Sequence, residues 1–367
     1  MIKSVVPFLS GVLLAAAFPA WAEMALYGQA RVSADYLTND DPDANSRDYT
    51  AAIGGSRSWI GLRGGESVRE TLAVIWRAEK YLSLDNGAWG GGRDLYLGLT
   101  GKAGTLLAGK YATPYRLSSD GLDVFQDTRA DFHGVIGNID GEPVFGNRMK
   151  NILFYETPEF KRFQLSLAAS PSYQDRDSLP LNRKDGGNYA FSGAVVFDNG
   201  PLWAGVSYSL LMDYVSSLPG YKAAASGNAS ATKLSLGWDF GQGTSLGLIL
   251  EDAKNGARID GKAVARRAYY FNLAHISGNT TWRAAVGVLD DLEYRRNSGA
   301  KHYAAGFSHA LSPRFDLFGV LTLMQNGENA TYGLVADSDD SDPVGAVMGR
   351  DVAAASFGLV FRFDRPL

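Results

Sequence analysis

From residue 24 to residue 363 apolar side chains recur at every second position, in short segments separated by turn-forming residues. A period of two sets alternate side chains on opposite faces of an extended strand. Sixteen such segments can be marked. The first, MALYGQARVSADYL (24–37), puts Leu26, Gly28, Ala30, Val32, Ala34 and Tyr36 on one face and Tyr27, Gln29, Arg31, Ser33 and Asp35 on the other. The last, AASFGLVFRF (354–363), aligns Phe357, Leu359, Phe361 and Phe363 against Ser356, Gly358, Val360 and Arg362. In NRMKNILFYETPEFKRFQLSLAA (147–169) a Thr-Pro-Glu-Phe turn divides two strands; Leu153 and Tyr155 share one face, and Arg148, Lys150, Ile152 and Phe154 the other.

The connections alternate in length. Short turns are predicted at 64–69, 101–104, 158–161, 198–200, 241–243, 278–280 and 311–313. Long connections are predicted between them at 38–50, 85–91, 113–147, 173–185, 213–228, 254–264, 290–299 and 327–351. This is the pattern of an all-β, antiparallel up-and-down meander with one tight rim and one rim of long loops. An enclosed core between two sheets of a secreted sandwich would also alternate, but it gives no reason for the unlike rims. A sheet inside a bilayer must close, because no water is there to satisfy backbone amides, and closure leaves one face to lipid and one to a lumen. Strands of about 9 to 11 residues suffice to cross.

Composition and the N-terminus agree with that reading. Lys3, the apolar run 5–18 and the Ala20-Trp21-Ala22 pattern predict a secretory leader at 1–22, removed before Glu23, with residues 23–367 forming one barrel domain. Removing the leader removes Lys3 and no acid, so the net charge moves from -4 to -5, which argues against a nucleic-acid partner. With no cysteine, disulfides and thiolate metal sites are excluded. The 43 Gly, 18 Tyr, 18 Phe and 7 Trp suit many strands with aromatic girdles better than helices around a core. His133, His275, His302 and His309 show no metal-ligand spacing, so neither a metal nor a cofactor is expected. Ser277 lies two residues after His275, which in a strand reads as shared facing rather than as a catalytic pair, and no enzyme is predicted.

YETPEF (155–160) preceded by NRMKN, together with LYGQARV (26–32), SWIGLRGGE (58–66), AVIWRAEKYLSLDNG (73–87), RDLYLGLTGKAGTLLAGKYATPY (93–115) and FGLVFRF (357–363), resembles the general porin family of Gram-negative bacteria, above all the proteobacterial branch with a Tyr-x-Ser-Pro-x-Phe turn. The likeness spans nearly all of the mature chain. It implies a sixteen-stranded transmembrane β-barrel in the outer membrane, a homotrimer among lipid and lipopolysaccharide. Its water-filled channel would pass ions and small hydrophilic solutes, with the third loop (about 113–147) folded inward as a constriction. Asp127 and Asp131 of DTRADFHG match the acidic pair of that loop, and their spacing of four would set both on one side of a helical turn. Arg148 and Arg93 match wall arginines, although Leu95, Leu97 and Leu99 share the face of Arg93 in the local alternation. Trp59 stands where an arginine is expected, and Arg57, with the same facing, is its candidate replacement.

Alternation alone adds Arg31, Arg63, Arg77 and Lys150 to the basic side and Asp35 and Glu79 to the acidic side, since an arginine facing lipid at mid-membrane costs about 2–4 kcal/mol. Seven bases then face four acids, which predicts a weak anion preference. A substrate-specific channel, for a sugar or an anion, is the nearest alternative function, and Trp59 and Phe154 near the neck are the aromatics a sugar channel would use. A surface adhesin or receptor is a further one, and the acidic tract DSDDSDP (337–343) reads first as a hydrated loop. Asp364-Arg365-Pro366-Leu367 follow Phe363, where the family usually ends on the aromatic residue.

Overall fold

The computed structural model describes residues 23–39, 49–54, 57–174, 188–216, 227–335 and 346–367; the predicted leader and the tract 337–343 lie outside them. The barrel is built of antiparallel strands β1 (Glu23–Asn39), β2 in two pieces (Tyr49–Gly54 and Ser58–Arg69), β3 (Leu72–Leu82), β4 (Trp89–Gly101), β5 (Gly104–Ala112), β6 (Arg148–Glu156), β7 (Phe163–Ser170) and β8 (Ala190–Asp198). It continues through β9 (Leu202–Tyr214), β10 (Gly227–Asp239), β11 (Thr244–Ile259), β12 (Lys262–Ser277), β13 (Thr280–Leu289), β14 (Ala300–Ser312), β15 (Phe315–Asn326) and β16 (Val352–Pro366). Each strand pairs with its neighbours in sequence. The sheet closes where β1 meets β16, in register from Ala25 opposite Pro366 to Asn39 opposite Val352. The tail beyond Phe363 thus continues the ladder, and the Leu367 amide donates to the Met24 carbonyl.

Sidedness follows the alternation. On β4, Tyr96 is 6% exposed while Leu95 and Leu97 are 59% and 60% exposed. The outward band includes Val32, Leu99, Leu153, Leu167, Phe191 and Val206, an apolar surface that water would not tolerate at this extent. At the tight-turn rim aromatic rings cluster, Phe163 with Phe197, Trp238 with Phe240, Trp282 with Phe307 and Phe361 with Phe315 and Phe363, as an interfacial girdle does.

Two expected connections differ. Gly64-Gly65 is not a turn: β2 runs on to Arg69, and Gly64 pairs with Trp76, whose indole fills the space a Cβ at 64 would need. The predicted long loop at 254–264 is a long hairpin instead, with β11 and β12 paired out to Ile259 and Lys262 and a tight turn at Asp260-Gly261, both at positive φ. Its charged outer end read as loop because alternation there no longer separates lipid from lumen.

Between β5 and β6 the chain turns into the barrel. Thr113 caps α1 (Pro114–Asp120), its side chain accepting from the Arg116 amide, and proline at the first helical position suits the fixed φ. Leu122, Phe125, Phe132, Val135 and Ile136 then pack on inward residues of the late strands, among them Trp203, Ile249, Tyr270 and Phe318. Polar ties fix the same side: Lys233 donates to Ser119 (2.6 Å), Asn272 to the Leu122 carbonyl (2.8 Å), and Trp203 to the Ser118 carbonyl (3.3 Å). At its centre Glu251 accepts from the Tyr115 hydroxyl, the Gly137 amide (2.8 Å) and Arg266, with both charged side chains fully buried. Arg266 also donates to the Val135 and Asn138 carbonyls. The loop is therefore glued to one half of the barrel.

Candidate pore constriction

The other face of the loop carries the charges. Asp127 sits at φ 61°, in the left-handed region that aspartate tolerates. Its carboxylate accepts from Gln29 of β1 (2.9 Å) and lies 3.8 Å from the Arg57 guanidinium; Asp131 lies 3.7 Å from the same group. The two acids come together without a helix between them. Residues 121–131 are a chain of turns, Asp131 caps a 3₁₀ turn (Phe132–Gly134), and the Asp127 amide donates to the Asp131 carboxylate at 3.2 Å. The expected helical turn is thus replaced by a direct side chain–backbone link, because α1 has already ended at Asp120.

Burial by itself would raise both carboxyls. For Asp131 the adjoining His133 ring, hydrogen-bonded at 2.7 Å, and Arg57 outweigh it and hold the group well below the usual range. For Asp127 the guanidinium charges of Arg93, Arg57 and Arg31 do the same. Asp123 goes the other way: burial, then the neighbouring Asp131 charge, push it well up, while its oxygens accept the Phe125 and Phe132 amides. Asp123, Asp131 and His133 bring one ligand atom each within 4.8 Å of one another, the one trio among the described residues with the donors for a metal ion. The Asp131 oxygens in it are already engaged by His133, the Asp127 amide and Arg57.

Across from the loop, the wall of β2–β6 carries a ladder of ion pairs. Arg93 meets Glu79 (3.2 Å) and lies over the Trp59 and Tyr81 rings; Arg77 meets Asp94 (3.2 Å) and Glu79 (3.9 Å); Arg148 meets Asp94 at 2.6 Å. A β-bulge explains how Arg93 and Asp94 both face inward. Ala78 pairs with Leu95 and Lys80 with Gly92, so two residues of β4 stand opposite Glu79, and the leucines beyond return to the outer face. On β1, Asp35 receives Arg129 of the loop (3.1 Å), so Arg129 serves the wall rather than its neighbours Asp127 and Asp131. Arg31 is buried with its guanidinium 4.6 Å from the Phe318 ring.

A family model described as Gram-negative porin matches residues 10–329. The chain belongs to the Gram-negative porin family. Outer membrane porin protein 32 of Delftia acidovorans is 26% identical to it over 334 residues, covering 88% of this chain and 90% of that one. Among solved structures, an anion-selective porin from Comamonas acidovorans superposes with a TM-score of 0.78 at 22% identity, over 94% of this chain and all of the other. The trimer form of OmpT of Vibrio cholerae does so with a TM-score of 0.67 at 15% identity, over 93% and 99%. This porin is an integral outer-membrane barrel and a diffusion channel.

Not every expected residue of the porin joins the cluster at its neck. Arg63 lies over the Tyr27 ring and pairs with Asp364 of β16 at 2.6 Å, both half exposed near the tight-turn rim, so it does not reach the loop acids. Phe154 is 2% exposed, edge-on to Tyr111 and packed under the loop, so no solute can stack on it. Lys150 is half-buried and lies in a β-bulge, between Met149 opposite Tyr111 and Ile152 opposite Gly109, so the expected alternation of Lys150 with Ile152 and Phe154 is interrupted. Asp94, Gln29 and Asp123 join the site without having been expected there. For Asp94 the signal was present, since it alternates with Tyr96 and Gly98 against the leucines. Asp123 carried none.

Proposed function

We propose that ions and small hydrophilic solutes cross this porin passively, through a neck between the charged face of the inward loop and the wall of β1–β6, with a weak preference for anions. The observation that carries this is the approach of Arg57 to Asp127 and Asp131 inside a closed barrel: a base on the wall and acids on the loop, side by side, give the lumen next to them a short-ranged transverse field. Arg31, Arg77, Arg93 and Arg148 extend the basic side, and Trp59 underlies Arg93. Asp35, Glu79 and Asp94 moderate it. No bound intermediate or energy source is needed for such transport. In a planar bilayer under a salt gradient, discrete open steps with a small reversal potential of anion sign are expected; a clearly cation-selective potential overturns the preference, and a silent bilayer overturns the channel.

The working unit on this reading is a homotrimer, with the outward apolar band meeting neighbouring subunits, lipid and lipopolysaccharide. The trimer form of OmpT of Vibrio cholerae is in keeping with it. Chemical cross-linking in mild detergent should yield a three-subunit species. The leader at 1–22 is assigned to removal on export, and N-terminal sequencing of the membrane form should begin at Glu23.

A further inference from the structure

Where loop residues 123–128 meet β1 and β13–β16, the inner wall leaves a recess of about 260 Å³. The register assembles it. Arg31 on β1 faces Val360 on β16, which faces Asp316 on β15; Gln29 stands opposite Arg362; and Arg283 on β13 stands opposite Gly306, which stands opposite Val320. Three guanidiniums, Arg31, Arg283 and Arg362, thus border one space floored by Phe318, Val320 and Val360.

Their charges are unevenly balanced. Arg362 pairs with Asp316. Asp127 is engaged by Gln29 and Arg57, and Asp123 accepts two backbone amides. Among the described residues no carboxylate reaches ion-pair distance of Arg31 or Arg283. Arg31 is 9% exposed, and its Nε is buried without a hydrogen-bond partner. A buried guanidinium lacking an anion is costly, and a planar oxyanion accepting from two such forks offsets that cost. The space equals that of roughly nine waters, and its floor is apolar.

We propose that Arg31, Arg283 and Arg362 form a binding subsite for a small organic anion, a carboxylate with a compact apolar body, captured from the lumen beside the loop. This rests on the channel reading above for its route of access. Chloride would screen the site but leave the apolar floor unfilled.

Benzoate is a suitable probe. Equilibrium dialysis of radiolabelled benzoate against the folded protein in detergent reads binding without any current, and single-channel recording reads brief interruptions of a chloride current. Saturable binding is expected, weakened at least tenfold in the R31Q/R283Q variant and less in R31K/R283K, which keeps charge but loses the fork. K262Q, exposed at the far rim, should match the unaltered protein. Equal binding in R31Q/R283Q and the unaltered protein overturns the subsite, as does an absence of saturable binding. Open steps without benzoate binding would sink the subsite and leave the channel standing. Binding without open steps would do the reverse.

Discussion

Replacing Glu251 by glutamine should loosen the inward loop while the barrel stays closed. Glu251 and Arg266 form a fully buried pair, and glutamine cannot carry the charge that Arg266 faces. Breaking one side of a buried ion pair costs about 3–5 kcal/mol, because the partner stays behind uncompensated. Arg266 keeps its bonds to the Val135 and Asn138 carbonyls, which puts the expected cost at the lower end. At 1.4 kcal/mol per decade, about 3 kcal/mol shifts the balance of docked and undocked loop by roughly a hundredfold. Lys233, Asn272 and the packing of Phe125 and Phe132 still hold the loop, so full release is not expected. Single-channel records of E251Q should show bursts to a larger conductance, absent from the unaltered protein. In E251Q/R266M the stranded charge is gone, but the Val135 and Asn138 carbonyls lose their donor, so the bursts should be reduced rather than abolished. The reasoning fails if E251Q opens in the same steps as the unaltered protein, or if the double variant is as noisy as the single.

Replacing Arg57 by glutamine removes the wall base that lies within 4 Å of both Asp127 and Asp131 and should move the reversal potential toward cations, whereas Asp127→Asn should move it toward anions; shifts of one sign in both variants would contradict the transverse field. Asp123 titrates oppositely to its neighbours. Its folded pKa is raised above the ordinary 3.8, so its contribution to stability is fully present below that value and is lost as pH rises toward the folded one. Asp123→Asn should therefore melt higher than the unaltered protein by a margin that grows from about pH 4 upward, and a margin independent of pH would dismiss the assignment. Leu97→Arg puts a charge on the lipid face and should cost about 2–4 kcal/mol of unfolding free energy in a bilayer; a neutral result would mean that β4 faces the other way.

The barrel was legible in the sequence because one physical rule, lipid outside and water inside, acts on every second residue of every strand. It holds for Leu95 and Leu97 against Tyr96 and for Leu153 against Ile152 and Phe154, and it fails where the rule is suspended, as at the bulge between Met149 and Ile152. At Arg93-Asp94 a bulge inserts one residue, and period two cannot register an insertion whose cause is pairing with Glu79 on another strand. At Gly64 the glycine looks like a turn unless the indole of Trp76, twelve residues on, is known to lie over it. Beyond the membrane the constraint vanishes, and the β11–β12 hairpin reads as loop. Inside the loop, Asp123 and Asp131 acquire opposite titration from contacts no local pattern encodes.

Pairing also changes what the count of charges means. Asp94 adds an acid to the neck, Arg129 adds a base, and Arg63 leaves it for Asp364. Arg31, Arg57, Arg77, Arg93, Arg129 and Arg148 then stand against Asp35, Glu79, Asp94, Asp127 and Asp131, a narrower excess than the sequence implied. Most of these groups meet an opposite charge within 4 Å, so their fields largely cancel at the distance of a passing ion. What remains longer-ranged comes from bases with no acid in ion-pair contact, and Arg31 and Arg283 are such bases, although Arg31 also acts on the nearby Asp127. The sign of the selectivity is therefore expected to depend more on those two than on the paired ladder of β3, β4 and β6. R31Q/R283Q should reduce the anion reversal potential further than Arg77→Gln does, although Arg77 stands among more charges.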